Sequence, residues 1–196
     1  MTIAKKIMIG FGLLIVLVLG ASFFLPSKLK IVRHIHIQAS SEQIYPYIAD
    51  FKHGWPKWSS FDQAEPDLKY HFEGPDSGRG AKRAWISSKS KMNSGYQKMT
   101  KADHTGVAYE VVMSNGFIMM GSISLEAAQL GTKVTWTGSS TLVTWTDEGD
   151  LGFNPLKRYM GLFINRMVAK YFEKSLAQLK AKAEAESESD PILELE

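Results

Sequence analysis

The spacing of apolar positions changes character several times along this chain. From Ile7 to Leu25 there is no polar face at all: nineteen residues carry no charge, and thirteen of them are Leu, Ile, Val or Phe. At about 1.5 Å per residue such a helix spans roughly 28 Å, close to the ~30 Å hydrocarbon core of a bilayer. A soluble helix of this kind would need protein packed around every side. The run is therefore predicted to be a transmembrane anchor, behind a short basic lead (residues 1–6) and before a linker (26–30). A cleaved signal peptide is the alternative, since Lys5 and Lys6 form a positive leading region. The run is longer than a usual signal core, however, and Leu19 before Ala21 is a poor small-x-small cleavage site.

Alternation with period two begins at IVRHIHIQA, where Ile31, Arg33, Ile35 and Ile37 interleave with Val32, His34 and His36, predicting a strand. Ser40 and Gln43 form a capping-box start for a short helix, SSEQIYPYIAD, with Pro46 in its first turns. FKHGWPKWSSF breaks the pattern with Gly54 and Pro56. Strands are then predicted over LKYHFEG, GAKRAWISS, GYQKMTKAD, GVAYEVVM, FIMMGSISLEA and TKVTWTGSSTL, separated by Gly-rich turns at hairpin-like spacing. From about Phe153 to Ala185 the period becomes helical. Leu156, Met160, Phe163 and Met167, followed by Tyr171, Phe172, Leu176 and Leu179, mark the apolar face of one long helix.

Composition changes this picture in two ways. The formal charge of +3 is concentrated around the anchor: without Lys5, Lys6, Lys28, Lys30 and Arg33, the 23 cations fall to 18 against 20 acids, a net of −2. That balance gives the folded part no general basic footprint for nucleic acid. The chain has no cysteine, which excludes a disulfide framework, a thiol nucleophile and a lipid-modified Cys. Residues 31–185 have the size of one domain, and residues 186–196 read as an acidic solvated tail. Cations flank both ends of the anchor, so the positive-inside rule nearly cancels. The reading adopted is a single-pass protein of a bacterial inner membrane with its globular part on the extracytoplasmic side.

One strand, two short helices, six antiparallel strands and a long C-terminal helix predict an α+β architecture: a curved antiparallel sheet wrapped around that helix, preceded by one transmembrane helix. The residues also carry a resemblance. YPYIADFKHGWPKWSSF resembles the start of the polyketide cyclase/dehydrase-like family of the START-related (SRPBCC) superfamily, where W-P-x-W follows the first helix. EPDLKYHFEGPDSGRGAKRAW, GTKVTWT and LKRYMGLFINRMVAKYFEKSLAQLKAKAE are similar to its next strand pair, its penultimate segment and its closing helix. The resemblance covers about Ile31 to Glu184 and implies the helix-grip (START-like) fold with an internal cavity. Arg83 departs from the pattern, standing where an aromatic or apolar residue is usual. Members implied by the resemblance include lipid and sterol carriers, hormone receptors and aromatic-polyketide cyclases.

Candidate chemistry is sparse. Tyr70, Phe72, Trp85, Met99, Tyr109, Val111, Met113, Phe117, Met119, Val134 and Trp136 fall on single strand faces, taken as concave. With Trp55 and Trp58 from the break, and Met160, Phe163 and Met167 from the helix, they would line a grip for an apolar ligand, or simply fill a core. Arg83 and Gln97 share the register of Trp85 and Met99 and should point inward. A buried guanidinium must be paired or reach water. It is either an anchor for a carboxylate or phosphate head group, or half of an internal ion pair or a rim position. Asp50 and His53 could form an acid–base pair near the mouth. His34 and His36 share a face but lack a third metal ligand. GPDSGRGAKR lies between strands and is a turn rather than a phosphate loop. The expectation is a non-catalytic, membrane-anchored domain without metal or cofactor, binding a small hydrophobic ligand such as a lipid or aromatic compound. A cyclase/dehydratase-type enzyme and a cavity-less interaction module are the alternatives.

Overall fold

The computed structural model describes residues 2–65, 68–87, 94–127 and 140–189. Helix α1 covers Ile3–Ala21, and apolar helical character continues through a single 3-10 turn at Ser22–Phe24. Strand β1 (Lys28–Ile37) leads to α2 (Ser41–Ala49), a 3-10 turn at Trp55–Lys57 and α3 (Ser60–Ala64). Six further strands follow: β2 (Tyr70–Glu73), β3 (Lys82–Trp85), β4 (Gly95–Asp103), β5 (Gly106–Met113), β6 (Ile118–Ala127) and β7 (Thr141–Asp150). Helix α4 (Pro155–Ser189) closes the described chain.

The strands form one curved antiparallel sheet in the order β1-β7-β6-β5-β4-β3-β2. A register shift between Met99 and Lys101 interrupts the β4–β5 ladder, the kind of irregularity that bends a strand. Helix α4 packs across β1, α2 and α3. The expected order of elements and the helix-grip architecture are thus present.

Two local readings are corrected. The last strand predicted from the sequence, Thr132–Leu142, lies mostly outside the described residues. The strand that joins β1 to β6 is TLVTWTDEGD, later in the chain. Thr141, Val143, Trp145 and Asp147 alternate inward along it, and a buried Asp within a Thr-, Glu- and Gly-containing segment concealed that period from a hydrophobicity reading. Pro46 falls within the first two turns of α2, as expected.

The second correction concerns α4. Its C-terminal half buries Phe172, Leu176 and Leu179 as the periodicity predicts. In its N-terminal half the expected inward residues Leu156, Met160, Phe163 and Met167 are exposed. Arg158, Gly161 and Ala169 take the inner positions instead. Close approach is the cause: a Cβ added at Gly161 would lie 2.5 Å from Leu151 Cδ1. Gly161 packs against Leu151, Ile164 and Val168 are half-buried against the core, and the Leu156–Met167 stripe is left outside.

The start of the fold shows why W-P-x-W has its spacing. The C-terminal carbonyls of α2 lack partners within the helix. Trp55 Nε1 donates to Ile48 O at 2.8 Å, and Trp58 Nε1 to Tyr47 O at 2.9 Å. Gly54 lies so close beneath α2 that an added Cβ would sit 2.6 Å from both Pro46 O and Tyr47 O. Both indoles are buried, and their rings build an aromatic cluster with Phe51, Tyr109, Trp145 and Phe172.

Candidate functional site

Cross-strand register sets two polar groups on the inner face of the sheet. In one row, Phe72 opposes Arg83, Arg83 opposes Gln97, Gln97 opposes Val111 and Val111 opposes Met119. In the next, Met99 opposes Tyr109, Tyr109 opposes Gly121, and Gly121 opposes Asp147.

Arg83 points inward and is 5% exposed. Its Nε donates to Gln97 Oε1 at 2.9 Å, and its Nη1 reaches both Asp62 oxygens at 3.0 and 3.1 Å. Asp62 also accepts from the Tyr70 hydroxyl. The guanidinium lies within about 5 Å of the ring centres of Phe51, Trp55 and Tyr70. Of the head-group anchor, internal ion pair and rim position open from sequence, the structure shows Arg83 in an internal ion pair. Its carboxylate comes from α3, which α4 holds in place: Ser60 N donates to Ser175 Oγ at 2.9 Å, and Ser60 Oγ to Tyr171 O at 2.9 Å. Burial drives the Tyr70 phenol upward from its ordinary pKa; Arg83 opposes this and Asp62 adds to it.

The second group joins the sequence candidate Tyr109, on β5, to Trp145 and Asp147 on β7, neither of which the sequence pattern marks. Tyr109 donates to Asp147 Oδ1 at 2.7 Å, and Trp145 Nε1 donates to the Tyr109 oxygen at 2.6 Å. Tyr109 and Asp147 are separated by a whole strand, β6. The phenol crosses it because Gly121 stands between them: an added Cβ would lie 2.1 Å from a Tyr109 ring carbon and 2.3 Å from Asp147 Oδ1. Burial pushes the Asp147 carboxyl up to about 7, against the opposing hydrogen bonds from Tyr109 and Trp145. Burial also raises the Tyr109 phenol well above its usual value, and the Asp147 charge adds to the shift.

The remaining sequence candidates are scattered. Trp55, Trp58, Met99 and Tyr109 are buried, with Gln97, in or beside the core. Trp85, Met113, Phe117 and Met119 are half-buried against it. Phe72 lies exposed at the β2 edge, and Trp136 lies outside the described residues. Met160, Phe163 and Met167 face outward on α4 and do not join the inner face. Asp50 and His53 do meet, Oδ2 to Nδ1 at 3.0 Å, but in an exposed turn. There Asp50 Oδ1 also accepts from the backbone N–H of Lys52 and His53. Burial tends to raise the Asp50 carboxyl, but these bonds and the His53 contact outweigh it and hold it below its ordinary range. His34 and His36 occupy the outer face of β1, and no cluster of three potential metal ligands occurs among the described residues.

The sequence profile of a family described as polyketide cyclase/dehydrase and lipid transport matches residues 28–184. The chain belongs to that family. Within the polyketide cyclase/dehydrase and lipid transport family, this match spans the sheet from β1 onward and nearly all of α4. No curated protein matches the sequence significantly. Among solved structures, norcoclaurine synthase from Thalictrum flavum, in complex with dopamine and hydroxybenzaldehyde, is 14% identical. That comparison has a TM-score of 0.54 and covers 81% of this chain and 87% of that one. A truncated form of the same synthase is 14% identical with a TM-score of 0.50, covering 86% and 96%. A point mutant of it with a transition-state analogue is 16% identical with a TM-score of 0.52, covering 79% and 96%. At these identities the likeness shows the shared fold alone.

Proposed function

We propose that this protein is a membrane-anchored helix-grip domain that binds a small apolar ligand, a lipid or an aromatic compound, without covalent chemistry. The observation that carries the reading is the Arg83–Gln97–Tyr70 group, buried polar chemistry beside the partly exposed faces of Phe72 and Trp85. An apolar ligand laid on those rings gains about 25 cal/mol per Å² buried, and the polar group orients its end. Asp62 already neutralises Arg83. The group therefore favours a neutral polar end, a hydroxyl or carbonyl, over an acid. The test is native mass spectrometry of the full chain released from its own membranes and exposed to a total lipid extract. A stoichiometric apolar adduct that Gln97→Leu loses supports the reading. A clean apo mass under the same exposure refutes it and favours an interaction module.

The Asp147–Tyr109 pair favours a second reading, a cyclase- or dehydratase-type enzyme. A carboxyl titrating near neutrality, hydrogen-bonded to a phenol, can give or take a proton at physiological pH. Turnover that Asp147→Asn abolishes while binding persists would favour the enzyme over the carrier.

A further inference from the structure

The outward stripe on α4 has no counterpart in the core, yet it is among the most apolar surface of the folded part. Leu156, Met160, Phe163 and Met167 recur at helical spacing and are all at least half exposed, Phe163 by 78%. Phe153, just before the helix, is exposed by 84%. A contiguous apolar face of this kind on a folded domain marks a surface that meets something.

Its position says what. The first turns of α4 are fastened to the end of α1. Arg158 is buried and donates through Nη1 to the carbonyls of Ser22, Phe23 and Leu25 at 3.3–3.4 Å. Its Nε donates to Gly152 O at 2.9 Å. The guanidinium lies 5.8 Å from the ring centres of both Phe23 and Phe153. Tyr159 Oη donates to Val18 O at 2.7 Å, one turn further into the apolar helix. An Arg and a Tyr at the end of a membrane-spanning helix suit the boundary between hydrocarbon and head groups. Charge agrees: from Phe153 to Lys170 the chain has no acid and four cations, Lys157, Arg158, Arg166 and Lys170. On the same exposed face Leu162, Phe163 and Met167 stand beside Arg166 and Lys170, apolar side chains next to two cations, which suits acyl chains below and phosphates above.

We infer that the N-terminal half of α4 is a second membrane contact, lying in the interface of the bilayer that α1 crosses, with Arg166 and Lys170 placed to meet anionic head groups. This rests on the anchor reading of α1. It gives the outward bulky residues of α4 an apolar medium to meet. It also places the closing helix of the grip in the medium from which an apolar ligand would come.

The chain has no native cysteine, so single cysteines can be installed without background. The full chain, reconstituted in vesicles of phosphatidylglycerol and phosphatidylcholine, would carry a bimane label at Phe163→Cys, Met167→Cys, Val16→Cys or His71→Cys. Lipids bearing a doxyl quencher at a shallow or a deep acyl position report depth. Positions 163 and 167 should be quenched by the shallow probe at least twofold more than position 71, and less in vesicles lacking phosphatidylglycerol. Position 16 should be quenched by the deep probe. Equal, weak quenching at 163, 167 and 71 with position 16 still quenched would overturn the α4 contact and leave the anchor standing. Loss of quenching at position 16 would remove the anchor and this inference together. A disulfide-linked Phe163→Cys dimer without lipid quenching would assign the face to a second copy and overturn the inference.

Discussion

Replacing Asp147 by asparagine keeps an acceptor for the Tyr109 hydroxyl but removes the ionisation that burial opposes. In the folded protein the carboxyl titrates at about 7 against an ordinary 3.8. The folded state therefore binds the proton more tightly than the unfolded state does. The stabilisation from the neutral acid is complete below pH 3.8, declines as pH rises, and is gone above about pH 7. A gap of roughly three units at 1.36 kcal/mol each is about 4 kcal/mol. The stability of the natural chain relative to Asp147→Asn should thus fall by about 4 kcal/mol between pH 4 and pH 8. Carboxylates such as Glu73 and Glu148, held low by Lys82 and Lys30, are common to both proteins and cancel in the difference. Urea unfolding of the full chain in detergent, followed by tryptophan fluorescence at several pH values, gives that difference directly. Trp145 touches the Tyr109 oxygen, so its emission should also titrate near pH 7 in the natural chain alone. Parallel stability curves for the two proteins would refute the reasoning and place Asp147 in contact with water.

Asp62→Ala leaves the Arg83 guanidinium buried without its carboxylate and should cost about 3–5 kcal/mol by denaturant unfolding. Arg83→Met in the same chain should restore most of that loss, and a cost under about 1 kcal/mol would mean that water reaches the pair. Gly121→Ala drives a methyl into both the Tyr109 ring and the Asp147 carboxyl and should destabilise by about 1–3 kcal/mol, a loss that Tyr109→Leu relieves only in part; simple additivity of the two would refute the ring contact. Because Ile3–Phe24 is long and apolar enough to cross a membrane, the chain should remain in the membrane pellet after carbonate washing, and release would defeat the anchor.

Much of the fold was legible because it is local. The Ser40–Gln43 capping box closes within one turn: Gln43 N donates to Ser40 Oγ, and Ser40 N to Gln43 Oε1. Strand β1 alternates as written, with Ile31 and Ile37 inward and His34 and His36 outward. Each inner residue of β4 and β5 follows from period two once one is placed, so Gln97, Met99, Tyr109 and Val111 were assigned to one face correctly. The partners of those residues were not legible. Asp62 meets Arg83 from 21 positions away, and Asp147 meets Tyr109 from 38.

The apolar helix, the order of strands and helices along the chain and the inward side of most strands could be read from residue spacing alone. These depend on spacing between neighbours and on burial, which act within a few residues. That Arg83 sits in an ion pair, that Asp147 is a buried acid and that the N-terminal apolar stripe of α4 faces outward emerged only from the packed fold. Each of these depends on which surfaces meet across the fold. A guanidinium is a free anchor or half of a pair according to what α3 brings to it. A helix chooses its inner face by how closely it can approach, and at Gly161, against Leu151, close packing prevailed over the larger hydrophobic stripe.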